Sequence, residues 1–255
     1  MESGRALDKR NSEKEMIYKT ETEVTDLNEN NILKPYAYQK LFSKVADRHL
    51  VKIDIGEDRM AEYKLSWAFI SVSLEIKKPV EGIIPMLANT WHSGRRGPFF
   101  RREFVFRNEN NEVLFQGSSF SVLLDMEKRT AYRKKELPFP LIGAVEDFTI
   151  EAVPTRKIRL DFAEVEERKI RNSFIDCLGH VNNCRYGEFA YDAFTAEEKS
   201  NLHRLKRIEA YFLSELRAED TFTLSKAYAD NGIFFRGTGN RKSGHSFDMV
   251  YTFTV

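Results

Sequence analysis

A short loop between a predicted strand and a predicted helix holds the residues best suited to chemistry. The segment from Asp176 to Asn183 reads Asp-Cys-Leu-Gly-His-Val-Asn-Asn. It places a carboxylate and the imidazole of His180 just before a helix, whose free backbone N–H groups and positive dipole end can polarise a carbonyl oxygen. Histidine with a neighbouring carboxylate can also transfer protons near neutral pH. An isolated aspartate and histidine at this spacing are more often structural, so the loop alone does not establish a catalytic role.

Cys177 offers a covalent alternative within the same loop. A thiolate is a good nucleophile when a histidine or a helix N-terminus lowers its pKa, and His180 lies close by in the sequence. The adjacent carboxylate of Asp176 raises a thiol pKa, which disfavours this route. Cys184 falls inside a helical pattern and is expected to pack. Neither the cysteines nor the remaining histidines have metal-ligand spacing, so no metal site is predicted at His49, His92, His203 or His245.

Two segments have the apolar periodicity of a helix and must position these residues. The first begins at Pro35, a residue that suits the first turn of a helix. The second follows Asn182 and Asn183, either of which can cap it by accepting a backbone N–H bond. The apolar positions are Tyr38, Leu41, Phe42 and Val45 in the first helix, and Tyr186, Phe189, Ala190, Ala193 and Phe194 in the second.

Period-two alternation predicts strands over most of the remaining chain. In the strand over 66–76, the even-numbered apolar residues from Ala68 to Ile76 are expected to share one face. The turn Asp230-Asn231-Gly232 is a strong hairpin signal. Further strands are predicted over 103–107, 113–124, 221–228, 232–236 and 247–255.

The order strand, acidic loop, apolar helix and antiparallel strands occurs twice along the chain. It predicts an α+β double hotdog, with two antiparallel sheets each wrapped around a long central helix. We predict a disordered lead-in over 1–15, an N-terminal hotdog over 16–145 and a C-terminal hotdog over 146–255. Aligning Asp26-x-Asn28 with the second loop puts Asn30 where the histidine would be, so the first loop is not expected to be a second active site.

Composition narrows the possible partners and location. A formal net charge of +1 provides no overall field for binding nucleic acid or a membrane. No apolar stretch approaches the ~18 residues of a membrane span, and the charged beginning does not read as a signal peptide, so a cytoplasmic protein is expected. Four basic runs are expected to be solvated faces, one of which could bind an acidic carrier: 95–96, 101–102, 133–135 and 204–207.

The segment His180-Val-Asn-Asn before Tyr186 resembles the acyl-acyl carrier protein (acyl-ACP) thioesterase family, in which it reads Asp-x-Asn-x-His-Val-Asn-Asn-x-x-Tyr. The resemblance covers roughly Ile17 to Val255. It also includes the elements Thr90-Trp91, Arg102-Glu103-Phe104, Ser118-Ser119, Val122-Leu123-Leu124-Asp125 and Tyr211 to Asp220.

This resemblance implies that Asp176, His180 and Glu215 are catalytic. Glu215 or His180 would activate a water, Asp176 would orient the histidine, and amides at the start of the second helix would hold the oxyanion, with Asn182 and Asn183 at the substrate. Burial is expected to raise the pKa of Glu215, as a carboxylate base requires.

Leu178 stands where the family has a catalytic asparagine, and its side chain can neither donate nor accept a hydrogen bond. Loss of such a group commonly costs ~10²–10³ in rate. Either another donor covers the role (Asn182, Asn183 or a loop amide), or the protein is slow. A non-hydrolytic acyl binder is the alternative that this residue favours.

The function implied is hydrolysis of acyl-ACP to free fatty acid, which terminates fatty acid synthesis, without metal or cofactor. The expected partner is acyl-loaded carrier protein, with no nucleic acid or membrane, and the chain would be a monomer or homodimer. The acyl chain would lie in the N-terminal hotdog, beside Trp67 and Phe69. An acyl-CoA thioesterase and a hotdog hydratase of 3-hydroxyacyl chains are the alternatives, although the elements Thr90-Trp91 and Arg102-Glu103-Phe104 disfavour the hydratase.

Overall fold

The computed structural model describes residues 13–140, 144–241 and 244–254. Most of the predicted lead-in and the last residue of the predicted final strand, Val255, lie outside these ranges. The predicted boundary between residues 145 and 146 stays a prediction. Among the described residues, no helix is both long enough and apolar enough to cross a bilayer.

Strands dominate the described chain, and their bounds follow the predicted alternation closely. The strands are β1 (Tyr18–Glu21), β2 (Leu65–Ile76), β3 (Pro85–Arg96), β4 (Phe99–Arg107), β5 (Val113–Asp125), β6 (Thr130–Ala131), β7 (Ala163–Lys169), β8 (Leu205–Phe212), β9 (Thr221–Ala229), β10 (Gly232–Gly239) and β11 (His245–Phe253). The α-helices are α1 (Pro35–Lys52), α2 (Glu57–Glu62), α3 (Asn183–Asp192) and α4 (Ala196–Ser200).

All strand pairs in the sheet are antiparallel, and the order is β1-β3-β4-β5-β2-β8-β11-β10-β9-β7, with β6 beside β5. The first five strands in this order and the last five have the same arrangement when the last five are read from the opposite edge of the sheet. The halves meet at β2 and β8, which pair from Ser71↔Tyr211 to Glu75↔Arg207. The predicted double hotdog is confirmed, and its two sheets are joined into one continuous sheet.

The two predicted helices are present, and each packs an apolar face against its half of the sheet. Helix α1 has 18 residues and begins at Pro35, whereas α3 has only 10. The side chain of Asn182 accepts a 3.0 Å hydrogen bond from the N–H of Cys184, which confirms the predicted cap. The helices contact each other at Gly187, where an added Cβ would lie 2.9 Å from Cβ of Tyr36. Only glycine allows this approach.

The predicted faces of β2 are wrong in one respect. A β-bulge between Phe69 and Ser71 reverses which side chains face the helix. Phe69 therefore faces inward and contacts Phe42 of α1, with ring centroids 6.0 Å apart, while Val72 and Leu74 face inward beyond the bulge. Ala68 and Ile70 do not share the face of Val72, because an inserted residue shifts the period-two pattern by one position.

Residues 147–158, which precede β7, cross the outer face of the sheet. Trp91 Nε1 donates to the carbonyl oxygen of Asp147, Ser71 Oγ to that of Val153, and Arg236 Nη2 to that of Ile158. These bonds span both halves of the sheet. The outer face is thus covered, and the accessible chemistry lies on the side of the helices.

Candidate active site

The loop from Asp176 to His180 is closed by its own backbone. The N–H of Asp176 donates to the carbonyl oxygen of His180, and the N–H of Gly179 donates to that of Asp176, both at 3.0 Å. Gly179 has a φ of 79°, and an added Cβ would meet nothing within 4 Å. Glycine is therefore required by the left-handed backbone and not by crowding. The closed loop holds the two side chains in a fixed relation.

The ring of His180 is held in one tautomer by a backbone carbonyl. Its Nδ1 lies 3.2 Å from the carbonyl oxygen of Val181, which can only accept, so Nδ1 carries the proton. The nearer carboxylate oxygen of Asp176 lies 3.7 Å from the same nitrogen, beyond hydrogen-bonding distance. The other carboxylate oxygen of Asp176 accepts a 3.0 Å bond from the N–H of Leu178. Among the described residues no hydrogen-bond partner meets Nε2 of His180, so its lone pair is free, as a base requires.

Glu215 lies beside this loop, and two arginine side chains contact its carboxylate. The N–H of Val181 donates a 2.8 Å bond to the carbonyl oxygen of Leu216, which joins the two segments. Arg129 Nη2 lies 3.0 and 2.7 Å from the two carboxylate oxygens of Glu215, and Arg217 Nη2 lies 3.1 Å from one of them.

The pKa of Glu215 is consequently shifted in the direction opposite to the prediction. Burial raises this pKa, but hydrogen bonding from Arg217 and the positive charges of Arg129 and His180 outweigh it, so the pKa lies below its ordinary value. The prediction of a raised pKa is wrong, because it considered the apolar neighbours and could not place Arg129. A carboxylate this stabilised as an anion is a weak base.

The first turn of α3 has fewer free donors than the sequence suggested. The N–H of Asn182 donates to Phe174, that of Cys184 to the side chain of Asn182, and that of Arg185 to the carbonyl of Asn182. Among the described residues, the backbone N–H of Asn183 has no acceptor. Asn182 is occupied by its capping bond through its oxygen, while its NH₂ group is available. Asn183 and its N–H are the best placed to meet a substrate oxygen.

A cleft of about 1260 Å³ opens onto these residues and is lined from both halves of the chain. The N-terminal half contributes Tyr36 and Lys40 of α1, and the C-terminal half contributes the loop with Cys177 and Leu178. Cys177 is exposed. The thiol of Cys184 also lines the cleft, and burial raises its pKa to about 11, which makes it a poor nucleophile.

The N-terminal half has a loop equivalent to that of Asp176 and His180, with the same backbone hydrogen bond. The residues that form this bond differ from those predicted from the sequence. The N–H of Asn28 donates to the carbonyl oxygen of Ile32 at 2.9 Å, as Asp176 does to His180. The bridge Leu27↔Leu33 matches Ile175↔Val181. Asn28 thus corresponds to Asp176 and Ile32 to His180, so the alignment through Asp26 and Asn30 is wrong by two residues. This loop lacks both the carboxylate and the imidazole.

Sequence reasoning missed most of the charged residues of the cleft, among them Asp47, Glu57 and Arg129. Asp47 of α1 and Glu57 of α2 line it from the N-terminal half, and Arg129 follows β5. Burial and the charges of Glu57 and Arg102 act on Asp47, and the net effect raises its pKa to about 6. Burial, together with the Asp176 carboxylate, also raises the pKa of Glu57. No motif connects these residues to the loop, because they meet it only through the fold.

The chemistry available here is polar and acid–base. Among residues 13–140, 144–241 and 244–254, no cluster of three or more histidine, cysteine or carboxylate side chains could hold a metal ion. Two hotdogs in one chain, with a histidine loop at a helix N-terminus, define the class as a double-hotdog thioester hydrolase.

Comparisons with known proteins agree with this class. The model of the acyl-ACP thioesterase N-terminal domain matches residues 12–136, and that of the C-terminal domain matches residues 159–249. The chain therefore belongs to the acyl-ACP thioesterase family, whose members hydrolyse the thioester between an acyl chain and acyl carrier protein. A comparison with curated protein sequences gives no significant match.

Solved structures share the fold over nearly the whole chain. An acyl-ACP thioesterase from Bacteroides thetaiotaomicron is 18% identical with a TM-score of 0.80, covering 94% of this chain and 97% of that one. The 12:0-ACP thioesterase from Umbellularia californica is 13% identical with a TM-score of 0.73, covering 93% and 97%. At these identities the likeness shows the fold alone.

Proposed function

We propose that this chain releases free fatty acid from acyl-ACP by direct attack of water, with His180 as the general base. The observation that carries the proposal is the bond from His180 Nδ1 to the carbonyl oxygen of Val181. Nε2 takes a proton from water as its oxygen bonds to the thioester carbon. The same proton then passes to the carrier's sulfur when the carbon–sulfur bond breaks, which regenerates the neutral ring.

The charges that develop in this reaction have counterparts among the neighbouring groups. The backbone N–H of Asn183, at the positive end of α3, would donate to the oxyanion of the tetrahedral intermediate. Glu215, kept ionised by Arg129 and Arg217, would stabilise the imidazolium form of His180. Asp176 would act through the loop, since its carboxylate holds the N–H of Leu178 and lies 3.7 Å from the ring.

The acyl chain would extend from the thioester into the N-terminal half. Trp67 and Phe69 line both the cleft and a second cavity within that half. Both side chains present apolar surface, as an acyl chain requires. The carrier protein would remain at the open side of the cleft, since only its prosthetic arm needs to enter.

Incubation of the purified protein with acyl-ACP, followed by detection of free thiol and of fatty acid, tests the proposal. We expect equal amounts of both products, and EDTA should leave the rate unchanged. Acyl-CoA of the same chain length should be hydrolysed with a lower kcat/KM. Acyl binding without thiol release would support the non-hydrolytic alternative and overturn the proposal. Loss of activity with EDTA, restored by zinc, would overturn the metal-free mechanism.

Cys177→Ser separates direct hydrolysis from covalent catalysis. We expect the variant to retain most of its activity, because water and not sulfur attacks the thioester. An inactive Cys177→Ser variant that remains folded, together with an acyl adduct on the wild-type thiol, would favour the covalent route.

A further inference from the structure

A second cavity of about 700 Å³ lies inside the N-terminal half. It lies between the end of α1, the following segment with α2, and the inner faces of β2 to β5, and it opens to solvent beside α2, where Asp54, Asp58 and Glu62 are exposed. Four residues line both this inner cavity and the catalytic cleft, so the two are neighbours that share a passage: Asp47, Glu57, Trp67 and Phe69. If the thioester lies in the catalytic cleft, the part of the substrate that enters the inner cavity is therefore the far end of the acyl chain.

Arg59, Arg101 and Arg102 line this cavity, and Arg102 faces it from the interior of the sheet. On β4, Phe104 and Phe106 face inward, and Phe104 stacks on Phe42 of α1 with ring centroids 4.0 Å apart. Arg102 stands two residues before Phe104 and has the same orientation because side chains alternate along a strand. The expectation that the run 101–102 forms a solvated face is therefore wrong for Arg102.

Arg102 lacks a full set of partners. Its Nη1 donates a long 3.4 Å bond to Thr90 Oγ1, and no carboxylate of the described residues lies within ion-pairing distance of it. Burial lowers the pKa of the Arg102 guanidinium. Arg102 is partly buried, and a guanidinium withdrawn from water without a close counter-ion is costly, so a bound ligand that supplies an oxygen acceptor would stabilise it.

Ser119 supplies an independent indication of a polar ligand. It lines the inner cavity from β5, is 1% exposed, and its Oγ has no hydrogen-bond partner. His92 lines the same cavity, and its Nδ1 lies 3.1 Å from the carbonyl oxygen of Arg101. Burial and the charge of Arg102 lower the pKa of His92 to about 4, so its ring is neutral. The inner cavity thus has hydrogen-bonding groups that a plain hydrocarbon chain would leave unsatisfied.

The charges along the passage select a neutral oxygen over an anion. Asp47 and Glu57 stand where the cavity meets the cleft, and a carboxylate on the acyl chain would be repelled by them. A hydroxyl group can accept from Arg102 and donate to Ser119 or to a carboxylate. A hydroxyl group can therefore bond both to the donor groups and to the acceptor groups that line the cavity.

We infer that the inner cavity binds the distal part of an acyl chain that carries a hydroxyl group, with Arg102 and Ser119 as its hydrogen-bond partners. This inference rests on the proposed function, because it takes the acyl chain to extend from the thioester at His180 into the N-terminal half.

The test is a comparison of two medium-chain acyl-ACPs of equal length, one plain and one hydroxylated at its far end. We expect wild type to favour the hydroxylated substrate by about tenfold in kcat/KM, as one well-placed bond to a charged group provides. Arg102→Met should remove most of this preference, and Ser119→Ala should reduce it. Arg107→Met is the matched control, since it removes an arginine from the same strand outside both cavities. It should keep the preference.

Binding of the free acids separates the inference from the proposed function. In His180→Ala, the hydroxylated fatty acid should raise Tm more than the plain acid of the same length, and adding Arg102→Met should abolish this difference. If neither acyl-ACP is hydrolysed, the proposed function is wrong. The Tm shifts produced by the two free acids still show whether the inner cavity prefers the hydroxylated chain. Equal kcat/KM values and equal Tm shifts for the two chains would overturn the inference and leave the proposed function intact.

Discussion

The backbone N–H of Val181 donates a 2.8 Å hydrogen bond to the carbonyl oxygen of Leu216. Each residue directly follows a candidate catalytic residue, so this bond sets His180 and Glu215 on adjacent segments although they are distant in sequence. Tyr186 of α3 reinforces the junction, because its hydroxyl oxygen accepts a 3.3 Å bond from the N–H of Leu216. The geometry of the site therefore depends on backbone bonds that side-chain substitutions at His180 or Glu215 would leave in place.

Replacement of the histidine is the most direct test of the proposed base. His180→Ala should lower kcat by at least ~10², since general acid–base catalysis contributes ~10²–10⁴. The measurement is kcat on acyl-ACP, with circular dichroism to verify folding. His203→Ala is the matched control, because His203 is exposed and bonds only to the carbonyl of Ser200. An undiminished rate in His180→Ala would show that the loop is structural.

The pH dependence of Glu215→Gln separates a base from a stabilising anion. The pKa of Glu215 lies below its ordinary value, so this carboxylate stays ionised through the neutral range and should not produce the acid limb of the kcat/KM profile. We expect kcat to fall several-fold in Glu215→Gln while the acid limb persists, displaced towards lower pH because the stabilising anion is lost.

Disappearance of that limb would identify Glu215 as the base instead. Glu219→Gln provides the control, since Glu219 is an exposed carboxylate on the same segment that pairs with Lys169. Its profile should match wild type in both position and height.

Asp47 should make the stability of the fold depend on pH. Desolvation of its carboxyl by the surrounding protein is the largest cause that raises its pKa, to about 6, above the ordinary value of 3.8, and because the residue is exposed on α1 the effect on stability should be small. The folded state then holds its proton more tightly than the unfolded state, so stability is greatest below the ordinary pKa and falls as pH rises towards 6. Asp47→Asn removes this cost. Its Tm should exceed that of wild type at pH 8, and the difference should shrink towards pH 4. A constant difference would contradict the raised pKa.

Much of the fold could be predicted because its periodicities are local. The helix from Pro35 and the cap at Asn182 were correct, as were the strands over 66–76 and 113–124 to within about one residue. The bulge after Phe69 was not predictable, since an inserted residue leaves the composition of a strand unchanged and shows only in its pairing with β5.

Only those residues of the candidate site that lie close together in the sequence could be predicted. Asp176 and His180 share one loop, and their spacing is visible in sequence. Arg129, Asp47 and Glu57 reach the cleft from other elements, so no spacing could reveal them. The predicted direction of the pKa shift of Glu215 was wrong for this reason. Its two arginine partners decide that direction, and one of them is Arg129.

Recognition of the carrier should depend on charge. The runs 95–96 and 133–135 form one basic surface, since Arg95 donates to the carbonyl oxygens of Lys134 and Lys135 at 3.0 and 3.1 Å. Acidic carriers are attracted to such a surface, and salt screens that attraction over ~10 Å at 0.1 M. Lys134→Glu with Lys135→Glu should raise KM for acyl-ACP, and so should added salt. KM for a short uncharged thioester should change little.

Reversal of two basic residues outside this basic surface is the matched control for the double variant of Lys134 and Lys135. Lys157 and Arg159 are exposed on the segment that crosses the outer face of the sheet, and reversal of both should leave KM for acyl-ACP unchanged. A similar rise in KM for both double variants would indicate a general field and no defined docking surface.

Leu178 is the position where this chain departs from the family, and Leu178→Asn should raise kcat several-fold with little change in KM. Its side chain lines the cleft, and its N–H already bonds to Asp176, so the backbone should keep its place. Asparagine is close to leucine in shape, so the packing loss should be about 1 kcal/mol. A new polar contact made mainly in the transition state acts on kcat.

The double variant with His180→Ala gives this prediction its discriminating outcome. If the new amide holds the oxyanion while His180 acts as base, the gain from Leu178→Asn should persist as a similar factor in the His180→Ala background, because the two groups act on different atoms. If Leu178→Asn lowers kcat in the wild-type background, another group already fills the role of the missing amide. The N–H of Asn183, which has no acceptor among the described residues, is then the donor to examine. Asn183→Pro is the variant that deletes this N–H, because proline lacks the donor and suits the first position of a helix.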